Sequence, residues 1–146
     1  MSVRERKRFE AELGRLDEIL EFVGSGAEHL EDTERRSDLL VAAEEAFTNI
    51  AKHAYEDGGE VEIEMEAGPN GVLLTFCDGG KPFDPRSVPP PDLDIEAEER
   101  AVGGLGVHLM MNLVDEVRYR REEGRNVLTL VVGTDSNDPK SKGEES

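Results

Sequence analysis

The sequence contains little that would mark a secreted, membrane-spanning or metal-clustered protein. Its 146 residues include one cysteine, Cys77, which excludes an internal disulfide framework and a zinc site built from several cysteines. A lone cysteine suits a reducing compartment, so we expect a cytoplasmic protein. No apolar run approaches the roughly 18 residues that a membrane-spanning helix needs. We also expect no secretory signal, because the charged N-terminus has no apolar segment after it.

Basic residues are scarce as well. Lys and Arg number 17 against 34 Asp and Glu, which gives a formal net charge of −17 at pH 7. So acidic a chain repels nucleic acid, and the one short basic run, Arg4–Arg8, is too small to reverse that. We therefore expect neither nucleic acid nor a membrane as a partner. If the chain binds a polyanion, a metal ion and backbone N–H groups must neutralise most of the phosphate charge.

Hydrophobic periodicity predicts helices and paired strands. Helices are predicted over Leu13–His29, from an N-cap at Thr33 to about Tyr55, and after Gly106. Strands are predicted from period-two alternation or short apolar runs, with Val72–Cys77 central; the others are Val3–Glu12, Glu60–Ala67, Val117–Arg121 and Val127–Val132. This order predicts an α+β two-layer sandwich, with a mixed, mostly antiparallel sheet and the helices on one face.

The second helix carries two separate stripes. An apolar stripe of residues three and four positions apart is predicted to form the core contact; it comprises Leu40, Ala43, Phe47, Ile50 and Ala54. Glu45, Asn49 and His53 form a polar line beside it. This line is either a solvated face or a ligand site. The amide oxygen of Asn49 favours a ligand site, because Mg²⁺ accepts such neutral donors alongside phosphate oxygens.

Two glycine-containing turns complete the candidate site. Asp78 ends the central strand and can accept a hydrogen bond from an exocyclic amine such as that of adenine, with Gly80 beside it and Phe83 covering one side of the ring. Alternatively it belongs to a plain Asp-Gly turn. The run Gly103-Gly104-Leu105-Gly106 precedes a helix, so its backbone N–H groups can bind phosphate oxygens; the alternative is a flexible linker. The proline-rich, acidic segment Lys81–Arg100 would be the lid over this site.

At these residues the chain resembles the ATP-binding domain shared by gyrase, the Hsp-type chaperone ATPases, sensor histidine kinases and MutL, the GHKL or Bergerat fold. Glu45–Tyr55 looks like the N box, Asp78–Phe83 like the G1 box, and Gly103–Val107 like the G2 box. The resemblance extends over roughly Leu13–Val132 and is strongest to the stand-alone serine kinase and anti-sigma factor branch. We expect this domain over residues 1–133, followed by a disordered polar tail over residues 134–146.

The resemblance implies a role for each residue of the site. Asn49 would ligate the Mg²⁺ that bridges the ATP phosphates, and Glu45 would be the general base. Asp78 would bind the adenine amine. His53 would support either the phosphates or the helix itself. The backbone of the glycine run would contact phosphates, and the acidic lid leaves open which cation faces the γ-phosphate.

The resemblance also implies a function. We expect an ATP-dependent serine/threonine protein kinase of a partner-switching system, which phosphorylates an anti-sigma factor antagonist of the STAS type. The same branch implies a sigma factor as a second partner, and a homodimer. Two alternatives remain open: a non-catalytic module that sequesters partners when ATP is bound, and the detached catalytic domain of a split histidine kinase.

Overall fold

A computed structural model of the chain describes residues 3–87 and 104–133. The lid beyond Ser87, Gly103 and the polar tail lie outside the described residues. The three helices are α1 (Leu16–Ala27), α2 (Thr33–His53) and α3 (Gly104–Leu113). The five strands are β1 (Val3–Glu10), β2 (Glu60–Gly68), β3 (Gly71–Asp78), β4 (Glu116–Glu122) and β5 (Arg125–Gly133). The predicted order of elements is confirmed.

The strands form one sheet in the order β1-β2-β3-β5-β4. Every neighbouring pair among the described strands is antiparallel, so the sheet is more regular than the mixed, mostly antiparallel one predicted. The apolar strand β3 occupies the centre, as its composition predicted. Its pairing with β5 sets Asp78 opposite Asn126. The C-terminal end of the central strand therefore meets the beginning of the last strand.

The two faces of the sheet differ sharply. Residues at alternate positions of β2 are buried under the helices; they are Val61, Ile63, Met65 and Ala67. The glutamates between them lie on the outer face, where they form ion pairs with the arginines of β1, such as Arg4 with Glu64 at 3.1 Å. Because the described helices cover only one face, this part of the chain has two layers, and the predicted α+β sandwich is confirmed.

Helix α2 lies at the centre of the helical layer and contacts both α1 and α3. Ala43, Phe47 and Ile50 of its predicted apolar stripe are buried, whereas Leu40 and Ala54 are half-buried at the edge of the core. Other residues of the helix are also buried, namely Leu39, Ala42 and Ala46. The buried face is wider than predicted, because one helix packs against the sheet and two neighbours.

Two helix boundaries differ from the prediction. The N-cap of α2 is Asp32, not Thr33: its carboxylate accepts hydrogen bonds from the N–H groups of Glu34 at 2.9 Å and Arg35 at 3.3 Å. A carboxylate satisfies two otherwise unpaired N–H groups and also faces the positive end of the helix dipole. The first predicted helix begins as a 3₁₀ turn, Leu13–Arg15, in which Leu13 is exposed.

Candidate functional site

A pocket lies where α2, α3 and the end of β3 meet. Much of the lining is apolar, with Ala46, Ile50, Val107, Met110 and Leu128 among it. A few polar side chains interrupt this surface; they are Glu45, Asn49, His53, Asp78, Lys81, Tyr119 and Asn126. Such a pocket can hold a flat apolar group and orient it by a small number of hydrogen bonds.

The polar line of α2 faces this pocket. Glu45, Asn49 and His53 all line it, and all three are half-buried. Their spacing of four residues places them at successive turns along one side of the helix. The reading of this line as a fully solvated face is therefore wrong. Their roles toward a ligand stay predictions.

Asp78 lies at the end of β3, and only 3% of its surface is exposed. Its Oδ1 accepts hydrogen bonds from the N–H of Gly80 at 2.9 Å and from the Nδ2 of Asn126 at 3.0 Å. Hydrogen bonds to a buried carboxylate are stronger than those between neutral groups, because little water competes for it. The carboxylate is thus held in one orientation at the wall of the pocket.

The turn after Asp78 is fixed from several sides. The Tyr55 hydroxyl accepts the N–H of Gly79 at 2.7 Å and donates to the carbonyl of Glu60 at 2.6 Å. The guanidinium of Arg121 donates to the carbonyl of Gly80 at 2.8 Å. A Cβ on Gly80 would collide with the carbonyl at Ala54, so only glycine lets the turn approach the end of α2.

The remaining residues of the turn divide between pocket and surface. Phe83 lines the pocket, as predicted, and its N–H donates to Asn126 Oδ1 at 3.2 Å. Within the described residues Lys81 is the only lysine or arginine in the lining. Arg86 instead binds Asp84, with 2.9 Å between its NH2 and Oδ2, and this hydrogen bond lowers the pKa of Asp84. Among the described residues of the lining, Lys81 is therefore the cation that a bound anion can reach.

The glycine run lies at the beginning of α3. Gly104, Leu105 and Gly106 are its first three residues, and the first N–H groups of a helix have no intrahelical acceptor. A Cβ on Gly106 would collide with Oε1 of Glu45, so the two helices touch at this point. The helix N-terminus and the Glu45 carboxylate are therefore neighbours. Gly103 lies outside the described residues.

The donor set suits a metal that arrives with its ligand. Within the described part of the chain, no group of three or more His, Cys, Asp or Glu side chains could hold a metal ion. Mg²⁺ that accompanies phosphate keeps several waters and needs only one or two protein ligands. A pocket that offers Asn49 and Glu45 fits such an ion better than a resident metal.

The sequence did not predict four residues that shape the site. They are Tyr55, Tyr119, Arg121 and Asn126. Asn126 is buried, with 6% of its surface exposed, and Tyr119 donates to its Oδ1 at 2.5 Å. The sequence places Asn126 at a turn before an apolar strand, which is typical of a hairpin. Only the register between β3 and β5 shows that it lies opposite Asp78. The sequence signal for this role of Asn126 was its position directly before a buried strand.

A two-layer fold with a pocket between its helices and the end of the central strand is typical of a class of nucleotide-binding domains. Comparison with known families identifies that class. Residues 9–132 match the Histidine kinase-like ATPase domain family, and the chain belongs to that family. The predicted family resemblance is confirmed.

Curated relatives carry a more specific name. Serine-protein kinase RsbW of Bacillus thuringiensis (strain Al Hakam) is 36% identical over 96 residues, which cover 62% of this chain and 60% of that relative. Serine-protein kinase RsbW of Listeria monocytogenes serotype 4a is 34% identical over 97 residues, which cover 62% of this chain and 62% of that relative. The chain thus matches about three fifths of the length of each.

None of the helices in residues 3–87 and 104–133 has both the length and the apolar character needed to cross a bilayer.

Proposed function

We propose that this chain binds ATP with Mg²⁺ in the pocket and transfers the γ-phosphoryl group to a serine or threonine of a protein partner. The observation that carries the proposal is that Glu45, Asn49, His53 and Asp78 line a single pocket. The sequence separates the first three from Asp78 by a turn and two strands. Their convergence supports one nucleotide site, and the names of the relatives support protein serine as the acceptor.

The adenine base would occupy the part of the pocket beside Asp78. The carboxylate of Asp78 is an acceptor, which suits the exocyclic amine of adenine. The apolar side chains of Ile50, Met110 and Leu128 line the same pocket and offer surfaces for the faces of a purine ring. Phe83 would cover the ring from the side of the turn.

The phosphates would lie toward the N-terminus of α3. Backbone N–H groups of Gly104, Leu105 and Gly106 favour an anion there, and the helix dipole adds to this preference. Gly103 would extend this contact. Asn49 would hold the Mg²⁺, with His53 supporting the phosphates and Lys81 adding a positive charge. Bound Mg²⁺ would neutralise the charge that develops on the phosphates during transfer.

Glu45 would act on the attacking hydroxyl. Its carboxylate lies against Gly106, and thus beside the place proposed for the phosphates. A carboxylate there can orient the serine hydroxyl of the partner and accept its proton as the oxygen attacks. The expected acceptor is an anti-sigma factor antagonist of the STAS type, in the cytoplasm. A sigma factor and a second copy of the chain are the other partners that we propose.

The test compares two adjacent glutamates. Glu45 lines the pocket, whereas Glu44 is half-buried on α2 outside the lining. With labelled ATP and a candidate antagonist, we expect Glu45→Gln to lower phosphoryl transfer by about 100-fold or more, the usual contribution of a general base. Glu44→Gln should behave as the parent protein does. Asn49→Ala should weaken Mg²⁺-dependent ATP binding.

The outcomes separate the three candidate functions. If the parent protein binds ATP but transfers nothing, the kinase assignment is wrong and the sequestering module is supported. If the product is acid-labile, the acceptor is a histidine, and the split histidine kinase is supported. If Glu45→Gln transfers phosphate as fast as the parent protein, Glu45 is not the base.

A further inference from the structure

Every donor and acceptor of the Asn126 side-chain amide is hydrogen-bonded at the edge of the pocket. Its Nδ2 donates to Asp78 Oδ1 at 3.0 Å and to the carbonyl of Lys81 at 2.9 Å. Its Oδ1 accepts from the N–H of Phe83 at 3.2 Å and from the hydroxyl of Tyr119. A side-chain amide has two N–H donors and one oxygen with two lone pairs, so no capacity is left for a ligand.

The neighbours of Asn126 also fix which way its amide points. The Lys81 carbonyl can only accept, and the Phe83 N–H can only donate, so the Nδ2 must face Lys81 and the Oδ1 must face Phe83. It follows that Asn126 presents a donor to Asp78. Asp78 Oδ1 therefore acts as an acceptor.

This arrangement leaves one oxygen of Asp78 for the pocket. Both hydrogen bonds to the carboxylate end at Oδ1, and no residue in the described ranges donates to Oδ2. Asp78 lines the pocket, so Oδ2 is the oxygen that a ligand can reach. Burial of Asp78 and Asn126 to 3% and 6% exposure limits competition from water and keeps the geometry of the pair fixed.

We infer that Asn126 is a positioning residue that selects a base with an exocyclic amine, because it fixes both the Asp78 carboxylate and the backbone of the turn Lys81–Phe83. This inference rests on the proposed function, since the amine is that of a bound nucleotide. A base that carries a carbonyl at the same position would face the carboxylate with a second acceptor. A base that carries only hydrogen there would leave the carboxylate without its ligand bond.

The main experiment measures a ratio of affinities. ATP and purine riboside triphosphate, which lacks the exocyclic amine, are titrated into the parent protein and into Asn126→Asp. The variant keeps the shape of the side chain but replaces both donors with an acceptor that faces Asp78. We expect the parent to prefer ATP by at least about tenfold, the value of one good hydrogen bond to a charged group, and the variant to prefer it by less than about twofold.

The control is Asn112→Asp. Asn112 is exposed on α3 and lies outside the pocket lining, so this variant adds the same charge without touching the site. It should keep the preference of the parent. If Asn126→Asp weakens both nucleotides equally and the ratio is unchanged, Asn126 only supports the fold and the inference is wrong.

A second measurement needs no nucleotide. Asp78 Oδ1 accepts the N–H of Gly80, so displacement of the carboxylate in Asn126→Asp should accelerate hydrogen exchange of that amide by at least about tenfold. Amides in the centre of the sheet, such as that of Leu74, should be unaffected. If the parent binds no ATP, the proposed function fails, whereas the positioning of Asp78 is still decided here. Unchanged exchange at Gly80 would contradict it.

Tyr119→Phe provides the test if Asn126→Asp does not fold. This variant removes one of the four bonds to Asn126 and keeps the ring. The amide then has more freedom, so we expect the ATP preference to fall by about two- to fivefold, less than for loss of both donors. A preference equal to that of the parent would refute a role for the network.

Discussion

Gly79 and Gly80 are adjacent and chemically identical, but the structure gives them different constraints. A Cβ on Gly79 would make an ordinary contact with the Tyr55 hydroxyl at 3.7 Å, whereas one on Gly80 would penetrate the backbone at Ala54. The sequence predicted that Gly80 lies beside a bound adenine ring. At Gly80 the close approach is to the end of α2, and any contact with a ligand is additional to it.

We therefore expect the two glycine variants to behave differently. Gly80→Ala must move the turn away from α2, and such overpacking against the backbone should cost about 2 kcal/mol or more of unfolding free energy. Gly79→Ala should change the unfolding free energy by less than about 1 kcal/mol. Urea unfolding followed by circular dichroism measures both. Equal losses in the two variants would mean that the close approach at Gly80 does not matter.

A second prediction concerns Gly106 and its contact with Glu45. Its missing Cβ leaves room for the Glu45 carboxylate, the end of a flexible side chain. In Gly106→Ala that carboxylate must shift, so we expect phosphoryl transfer to fall by about tenfold or more while the fold remains. Alanine has a higher helix propensity than glycine, and this partly offsets the crowding of the Glu45 side chain. The unfolding free energy should therefore change by less than about 1 kcal/mol.

A matched glycine on another helix controls for propensity. Gly24 lies within α1, and a Cβ there would make only an ordinary contact with Leu40 at 3.8 Å. Gly24→Ala should leave phosphoryl transfer unchanged. A Gly106→Ala variant with the transfer rate of the parent would show that the position of the Glu45 carboxylate is not critical.

At the scale of elements, α2 connects the core to the site. Its buried residues pack against the sheet, α1 and α3, while its polar line faces the pocket. The position of the pocket residues therefore depends on where this helix begins and how firmly it is held. Its beginning is fixed by Asp32, which accepts two N–H groups of the first turn.

The two candidate N-caps of α2 differ in the loss of unfolding free energy that we expect from their removal. Asp32→Ala should lower the unfolding free energy by about 1 kcal/mol, because the first-turn N–H groups lose their acceptor. Thr33→Ala should change it by less than about 0.5 kcal/mol, since Thr33 is already the first helical residue and is exposed. Thermal unfolding of both variants at neutral pH measures the difference. A larger loss of unfolding free energy in Thr33→Ala than in Asp32→Ala would support Thr33 as the N-cap, as the sequence predicted.

Periodicity predicted the three α-helices and five strands of the described residues, because in most of them the spacing of apolar residues records which side is buried. The mostly exposed strands β1 and β4 show this pattern only weakly. Periodicity also predicted that Glu45, Asn49 and His53 share a side of α2. It failed for Asn126 and Arg121, whose partners Asp78 and Gly80 are more than 40 positions away in the chain. Such contacts depend on the strand order and register, and no local pattern contains them.

At the scale of the whole molecule, acidic residues are in large excess, with a net charge of −17. The outer face of the sheet accommodates part of this charge by pairing the glutamates of β2 with the arginines of β1. Near the N-terminus of α2 there is less compensation. There the pKa of Asp38 is raised, first by burial and then by the neighbouring Glu34 and Asp32, although Arg35 acts in the opposite direction.

Asp38 should therefore destabilise the fold at neutral pH. A carboxyl whose pKa is raised by folding favours the folded state below the unfolded pKa and loses that contribution as the pH rises through the folded pKa. We expect Asp38→Asn to raise the unfolding free energy at pH 7 by less than about 1 kcal/mol, because solvent screens the partly exposed group. The gain should disappear near pH 3, where the carboxyl is protonated in both states.

Glu21→Gln is the control for net charge, because Glu21 is an exposed carboxylate on α1. It removes one negative charge without the burial that affects Asp38. Unfolding free energies of the parent and both variants from pH 3 to pH 7 test the prediction. Equal gains for the two variants would assign the effect to total charge rather than to the surroundings of Asp38.

The pairing of Asp78 with Asn126 also has a consequence for how the protein is made. The two residues are 48 positions apart, and Asn126 belongs to the last strand of the sheet. Synthesis proceeds from the N-terminus, so both pocket-lining helices leave the ribosome before the strand that holds the carboxylate in place. A nascent chain that ends before β5 can form α2 but not the oriented Asp78. The completed pocket can therefore form only after β5 has been synthesised.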